Sequence, residues 1–200
     1  MDMILNEKLK NYSLILASGS PRRIAILKDM GFDFTIEKLN VDEAFPENLK
    51  GSEIALYISK KKSEAFPKDK ILENTIVITA DTIVWQDNKI LGKPKNRNEA
   101  IEMLKLLSGD DHEVFTGVTL RSKNKLHSFF NRSKVSFRPL QQYEIEYYID
   151  NFKPFDKAGS YGVQEWIGYV AIEHIEGSFF NVMGLPTRML YSELENFLSE

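Results

Sequence analysis

The first part of the chain alternates between apolar patterns typical of strands and of helices. The β-branched and apolar run Ser13 to Ala17 predicts a buried strand. The amphipathic stretch Pro21 to Met30 predicts a helix, which Gly31 ends. A short second strand is predicted over residues 34–37, and the polar, acidic stretch 40–51 predicts a loop.

The middle of the chain predicts a helix followed by a strong strand. The helix covers Ser52 to Phe66, with its first residue as N-cap and Pro67 as its stop. The β-branched run from Thr75 to Trp85 predicts strand structure on both sides of a turn at Asp81. Asp87-Asn88 then predicts a hairpin turn into a short partner strand.

The second half predicts one further capped helix, several strands and two more helices. Asn96 and Glu99 form a capping pair for a helix that Gly109 stops. The other predicted elements are a hairpin (112–121 and 128–137), a short helix (142–149), a strand (169–175) and a closing helix (186–198). This order predicts an α/β fold with a mixed sheet, in a single domain spanning residues 1–200.

Composition and charge exclude several classes of protein. The chain has 200 residues and a net charge of −3, without the basic face that broad nucleic-acid binding requires. It has no cysteine, so disulfides, thiolate catalysis and zinc–thiolate sites are ruled out. Residues 1–10 lack the apolar core of a signal peptide, and no apolar run reaches membrane-spanning length. We therefore expect a cytoplasmic protein without a membrane partner.

The stretch Leu16 to Arg23 joins the first predicted strand to the first predicted helix. Ser20 stands at the predicted N-cap, and Pro21 occupies the first helical position, where its missing N–H costs nothing. Arg22 and Arg23 in the first helical turn oppose the helix dipole unless an anion binds there. The sequence therefore indicates a polyphosphate site at this turn.

Acidic side chains in two other segments are candidates for metal binding or catalysis. Asp81, where a strand meets a predicted turn, suits a metal ligand or a base that orients water; the alternative is an aspartate that caps the turn. Asp42 and Glu43 either supply oxygen ligands to Mg²⁺ or belong to a solvated acidic loop.

Two lysines and one amide complete the candidate site. Lys62 falls on the apolar stripe of its helix, so it either snorkels or meets a partner, because burying an unpaired charge is costly. Lys93, held extended by Pro94, is a candidate for phosphate contact. Gln164 offers a donor and an acceptor that suit a pyrimidine edge, although its glycine-rich segment also fits an ordinary loop.

Taken in order, these segments resemble the Maf family of nucleotide pyrophosphatases. The matching stretches are LASGSPRR (16–23), Asp42-Glu43, Lys62, TADTIV (79–84), GKP (92–94), LLSG (106–109), DKAGSYGVQ (156–164) and EGSFFNVMGLP (176–186). The resemblance implies a fold similar to the inosine-triphosphate pyrophosphatases. That fold has a long curved mixed sheet with flanking helices, and two lobes around a cleft.

The resemblance also implies a reaction and roles for individual residues. Members of the family cleave a nucleoside triphosphate to the monophosphate and pyrophosphate, and they require Mg²⁺ or Mn²⁺. Asp81 matches the catalytic carboxylate, with Glu43 and Asp81 as the implied metal ligands. The substrate-binding and specificity positions are Ser18, Arg22, Arg23, Lys62, Thr82, Lys93 and Gln164.

The branch of the family can be read from two motifs. ADT at 80–82 and YGVQ at 161–164 resemble the branch acting on dTTP and UTP, while bulky residues at 165–169 depart from the usual glycine-rich pattern. A homodimer is a further implication. The alternatives are a pyrophosphatase for another nucleotide such as 7-methyl-GTP, a nucleotide-binding regulator of cell division, and a phosphate-binding domain without hydrolysis.

Overall fold

A computed structural model describes residues 3–199 of the chain. Met1 and Asp2, which begin the segment searched for a signal peptide, and Glu200 lie outside the described residues. The described strands are β1 (Ser13–Leu16), β2 (Thr35–Ile36), β3 (Thr75–Gln86), β4 (Lys89–Leu91), β5 (Asp111–Arg121), β6 (Leu126–Phe137) and β7 (Ile172–Glu176). The described α-helices are α1 (Leu5–Leu9), α2 (Pro21–Asp29), α3 (Ser52–Ala65), α4 (Arg97–Leu107), α5 (Gln142–Phe152), α6 (Trp166–Ala171), α7 (Phe179–Met183) and α8 (Thr187–Ser199).

The seven described strands form one mixed sheet, which confirms the predicted α/β class. The strand order is β2-β1-β3-β5-β6-β7, and β4 pairs with β3 outside this path. Strand β1 runs parallel to both β2 and β3, with Leu16 opposite Ile78 in the β3 register. The pairs β3–β4 and β6–β7 are antiparallel. Between residues 3 and 199, no helix is both long and apolar enough to cross a lipid bilayer.

The chain divides into two compact units, and β3, β5 and β6 each contribute residues to both. The first unit contains the described residues up to Asp81, Thr116–Asn131 and the residues from Gly184 onward. The second contains Thr82–Phe115 and Arg132–Met183. Each unit has its own apolar cluster: one includes Phe66 and Val77, the other the large group around α4, α5 and α6. That residues 1–200 act as one functional domain remains a prediction.

Strand β3 continues without interruption through Asp81, so the predicted turn at this residue is wrong. The β-branched residues that follow Asp81 favour an extended backbone, and Val84 pairs with Leu91 of β4. The turn comes instead at Asp87 and Asn88, as predicted, where both residues have positive φ. Asp81 is therefore a charged residue within a strand, and a buried ion pair accounts for its presence there.

The structure confirms Ser20 as the N-cap of α2 and corrects the predicted N-cap of α3. Ser20 occupies the N-cap of α2, but its side chain makes no capping hydrogen bond. Gly51, rather than Ser52, is the N-cap of α3, because the N–H of Ile54 already donates to the Gly51 carbonyl at 3.2 Å. The predicted cap at Asn96 is confirmed, since its side chain accepts from the Glu99 N–H at 2.9 Å.

The stretch 169–175, predicted as one strand, begins as the end of helix α6. The spacing of Ile167 and Ala171 places both in the second apolar cluster, and this packing outweighs the strand propensity of the neighbouring residues. Only Ile172–Glu176 forms a strand, with Ile175 opposite Val135 of β6. The sequence prediction also missed α1, whose Leu5 and Leu9 are buried.

His112 of β5 is a buried, neutral histidine in the second unit. Its Nε2 lies 2.7 Å from the Tyr161 hydroxyl, and the rings of Phe137 and Tyr161 meet it edge to face. Burial lowers the pKa of His112 to about 4, although the charges of Asp111 and Asp110 oppose the shift. The unfolded chain therefore binds more protons than the folded one between about pH 6.5 and pH 4.

We expect the stability of the protein to fall as the pH is lowered through this window. His112 alone should remove about 2 kcal/mol of unfolding free energy between pH 7.5 and pH 5. Urea unfolding of the parent protein and of His112→Gln, which keeps a polar partner for Tyr161 but does not titrate, measures the difference. Identical pH dependence in the two proteins would contradict this role.

Candidate active site

The predicted anion-binding turn is built around Arg23. This buried side chain donates from Nε to the Gly184 carbonyl at 2.8 Å and from a terminal nitrogen to Ser18 Oγ at 3.4 Å. Ser18 Oγ also accepts the Ser20 N–H at 3.2 Å. Arg22 is half-buried, and its charge acts on Arg23. Arg23 is thus held in place both by Ser18, which is near it in sequence, and by Gly184, which is distant.

Helix α3, which carries Lys62, lies directly against the sheet of the first unit. A Cβ at Gly117 of β5 would lie 2.4 Å from the Ala55 carbonyl oxygen, so only glycine allows this approach. Thr79 of β3 donates to the Ser59 carbonyl at 2.8 Å, and the hydroxyls of Ser59 and Thr119 lie 3.1 Å apart. These contacts fix the distance between α3 and β3.

Lys62 binds two carboxylates at once. Its Nζ donates to Asp81 Oδ1 at 2.6 Å and to Glu43 Oε1 at 2.7 Å. The side chains of Lys62 and Asp81 are only 15% and 11% exposed. Lys62 therefore meets partners rather than snorkelling, and Asp81 is an ion-paired residue rather than a turn cap.

The charges of this cluster act on one another. Burial raises the pKa of Asp81, while the positive charges of Lys62 and Arg23 oppose that shift. Burial lowers the pKa of Arg23, and the negative charges of Asp81 and Glu43 counteract it. Alternating charges around the buried side chains of Arg23 and Asp81 are suited to receive a polyanion and to stabilise charge that develops on it.

The two adjacent acidic residues of the loop before α3 have different roles. Asp42 is 79% exposed on its side chain, and Lys61 Nζ lies 3.5 Å from its carboxylate. Glu43, by contrast, reaches the buried Lys62. The sequence placed both carboxylates together as candidates, and the structure assigns only Glu43 to the cluster with Asp81.

Glu43 and Asp81 are compatible with a divalent cation that arrives with a phosphorylated ligand. Among residues 3–199, no group of three or more histidine or acidic side chains could hold a metal alone. Mg²⁺ commonly binds through one or two carboxylates and completes its shell with waters and substrate phosphates. Two carboxylates beside the predicted anion-binding turn fit that pattern.

The remaining predicted site residues belong to the second unit. Thr82 is half-buried and follows Asp81 directly in β3; Lys93 is exposed in the segment between β4 and α4. Gln164 lies just before α6, and its Oε1 is buried without a hydrogen-bond partner among the described residues. A buried acceptor without a donor is unfavourable, so this atom is suited to a ligand N–H.

A mixed α/β fold that brings Arg23 and Lys62 together with the carboxylates of Asp81 and Glu43 is typical of enzymes that act on phosphorylated ligands. The model of the Maf-like protein family matches residues 13–197, and the chain belongs to the Maf family.

Relatives in two bacteria support a closer comparison. A protein of Bacteroides thetaiotaomicron is 50% identical over 94% of this chain and 97% of its own length. One of Christiangramia forsetii is 50% identical over 98% and 100%. Both are named dTTP/UTP pyrophosphatase. The Staphylococcus aureus Ham1 protein shares the fold, with a TM-score of 0.50 at 16% identity over 92% of this chain and 98% of its own.

Proposed function

We propose that this protein hydrolyses dTTP and UTP to the nucleoside monophosphate and pyrophosphate. The observation that carries the proposal is Lys62 bound between Asp81 and Glu43, next to the charge of Arg23. A protein that only binds a polyanion needs cations, whereas two carboxylates at the same place add groups for a metal and for a proton. The names of the relatives support the choice of nucleotide.

In the proposed reaction, positively charged side chains bind the triphosphate, and Asp81 acts on the attacking water. Arg22, Arg23, Lys62 and Lys93 neutralise phosphate oxygens, and Ser18 helps to hold the turn. Asp81 orients a water and accepts its proton as the oxygen attacks a phosphorus of the α–β anhydride. The anhydride P–O bond breaks, the water oxygen stays on the phosphorus it attacked, and the nucleoside monophosphate and pyrophosphate separate. Electrostatic stabilisation of the transition state supplies most of the rate.

Glu43 and Asp81 are the residues that would hold Mg²⁺ or Mn²⁺ in this proposal. When bound, such an ion supplies positive charge to phosphate oxygens and lowers the pKa of water. Both carboxylates already accept from Lys62 Nζ, Asp81 through Oδ1 and Glu43 through Oε1, so the lysine holds the two proposed ligands next to each other.

Gln164 provides the proposed selection of the base. Its buried Oε1 is suited to accept the N3–H that uracil and thymine share. Cytosine presents an acceptor at N3, so two acceptors would face each other. Thr82, which follows Asp81 in the same strand, is the second proposed specificity residue, because the family resemblance matches it to a position linked to substrate choice.

Gln164→Ala should reduce the preference for UTP over CTP about tenfold, which corresponds to about 1.4 kcal/mol of lost discrimination. The measurement is the ratio of kcat/KM values for the two nucleotides. Gln142→Ala is the matched control, because Gln142 is an exposed glutamine whose amide donates to Glu146. An unchanged UTP-over-CTP ratio in Gln164→Ala would show that Gln164 does not read the base.

Pyrophosphate release from dTTP, UTP, CTP, GTP and 7-methyl-GTP, with Mg²⁺, Mn²⁺ or EDTA, tests the function itself. Metal-dependent release favouring dTTP and UTP supports the proposal in full. Release favouring another nucleotide keeps the reaction and overturns the roles given to Thr82 and Gln164. If a folded protein releases pyrophosphate from none of them, the proposal is wrong and a binding role takes its place.

We further propose that the protein acts in the cytoplasm as a homodimer, without nucleic-acid or membrane partners. The family resemblance supports the dimer, and the net charge of −3 supports the absence of a nucleic-acid partner. Sedimentation equilibrium of the purified protein measures the oligomeric state directly.

A further inference from the structure

A buried network joins Tyr148, Glu165 and Lys157 in the second unit. The hydroxyl of Tyr148, which is fully buried on α5, donates to Glu165 Oε2. The ammonium group of Lys157, also buried, lies 3.0 Å from Glu165 Oε1. Both oxygens of one carboxylate therefore have partners, one on a helix and one at the start of the segment that leads to Gln164.

The same network holds the backbone turn that carries Gln164. The N–H of Glu165 donates to the Gly162 carbonyl at 2.9 Å, which closes a turn over residues 162–165. The N–H of Gly162 donates to the Tyr148 hydroxyl at 3.0 Å. The Tyr148 hydroxyl thus contacts the backbone N–H of Gly162, the first residue of the turn, and the side chain of Glu165, the last residue. Gln164 lies between these two residues.

The start of α6 also contacts the turn that carries Gln164. The Gly168 N–H donates to the Glu165 carbonyl at 2.9 Å. A Cβ at Gly168 would lie 1.9 Å from the Val163 carbonyl oxygen, so the two backbones are in direct contact. The turn is therefore held both by the start of α6 and by the Tyr148 hydroxyl.

Neutralising Lys157 does not require Glu165. Lys157 Nζ also lies 2.8 Å from a carboxylate oxygen of Asp156, the preceding residue. A buried ion pair is in general weak support for stability, and its best-attested use is to fix one arrangement of the chain. The contact of Lys157 with Glu165 is therefore better explained by the arrangement of the chain that it fixes than by the charge that it balances.

We infer that Tyr148, Glu165 and Lys157 are positioning residues for base selection, because they fix the backbone of Gln164 so that its buried Oε1 meets the pyrimidine at one place. The inference rests on the proposed function of Gln164. Sites must hold their groups to within about 0.5 Å of the productive geometry, and an amide on a loose turn could follow either uracil or cytosine. Glu165 also begins the stretch in which the sequence departs from the usual family pattern.

Tyr148→Phe tests the inference, because it removes one hydroxyl and keeps the packing of the ring. We expect the UTP-over-CTP ratio of kcat/KM to fall about fivefold to tenfold, mainly through a higher KM for UTP. Tyr143→Phe is the matched control, since it removes an exposed hydroxyl from the same helix. Glu165→Gln, which keeps the size but loses the charge, should act in the same direction.

The double variant Tyr148→Phe/Gln164→Ala separates positioning from general loosening of the fold. If Tyr148 acts through Gln164, it should change the UTP-over-CTP ratio only while Gln164 is present. If Gln164→Ala changes the UTP-over-CTP ratio of kcat/KM but Tyr148→Phe and Glu165→Gln do not, the inference is wrong and the proposed role of Gln164 stands. If Gln164→Ala leaves the UTP-over-CTP ratio unchanged, the proposed role of Gln164 is wrong, and the inference is wrong with it.

Discussion

Asp81→Asn is expected to lower kcat for dTTP and UTP hydrolysis by about 100-fold or more. Asparagine has nearly the same shape, but it cannot accept the proton of water and carries no charge for Lys62, Arg23 or a metal. Because the side chain is only 11% exposed within β3, solvent cannot readily replace it. The measurement is kcat at saturating nucleotide, from pyrophosphate release.

Asp42→Asn is the matched control for this variant. It makes the same chemical change one residue before Glu43, on a carboxylate that is 79% exposed, and it should leave kcat within about twofold of the parent value. Thermal unfolding of both variants shows whether they are folded. Parent-like turnover in a folded Asp81→Asn protein would remove Asp81 from the mechanism.

Lys62→Met should lower both activity and stability. Methionine fits the apolar stripe of α3, but it leaves Asp81 buried without its nearest positive charge and leaves Glu43 without its partner at 2.7 Å. We expect kcat/KM to fall about 100-fold, as for the loss of one electrostatic group from an active site. We also expect the unfolding free energy to fall by about 3 kcal/mol, the usual cost of breaking a buried pair from one side.

The neighbouring lysine provides the comparison. Lys61→Met removes the same charge from the same helix, where Lys61 contacts the exposed Asp42 and the Ala44 carbonyl. Its effect on both quantities should be small. Equal losses in the two variants would mean that net positive charge, rather than the bridge between Asp81 and Glu43, is what matters.

Local signals in the sequence were enough to locate much of the candidate site. The serine and proline before Arg22 and Arg23 predicted the helix start, and Lys62 was conspicuous because it interrupts an apolar stripe. The helix start can be recognised from a few neighbouring residues, and the position of Lys62 can be recognised from the helical spacing of apolar residues. The family resemblance then placed Asp81 and Glu43 beside them.

Long-range packing accounts for what the sequence did not reveal. Asp81 resembled a turn residue because an isolated aspartate in a strand is unfavourable, and the partner that makes it favourable is Lys62, 19 positions away. Gly117 and Thr119 hold α3 in place from β5, but a glycine or threonine in a strand carries no local sign of such a contact. The choice between Asp42 and Glu43 likewise depends on which lysine of α3 each one contacts, Lys61 for Asp42 and Lys62 for Glu43.

Asp81 and Thr82 are joined by one peptide bond, yet they belong to different compact units of the chain. The charged cluster thus lies in one unit, while Thr82 and Gln164 lie in the other. Under the proposed roles, the groups for hydrolysis and the residues that select the base belong to separate units of the chain, so hydrolysis and selectivity are separate targets for substitution.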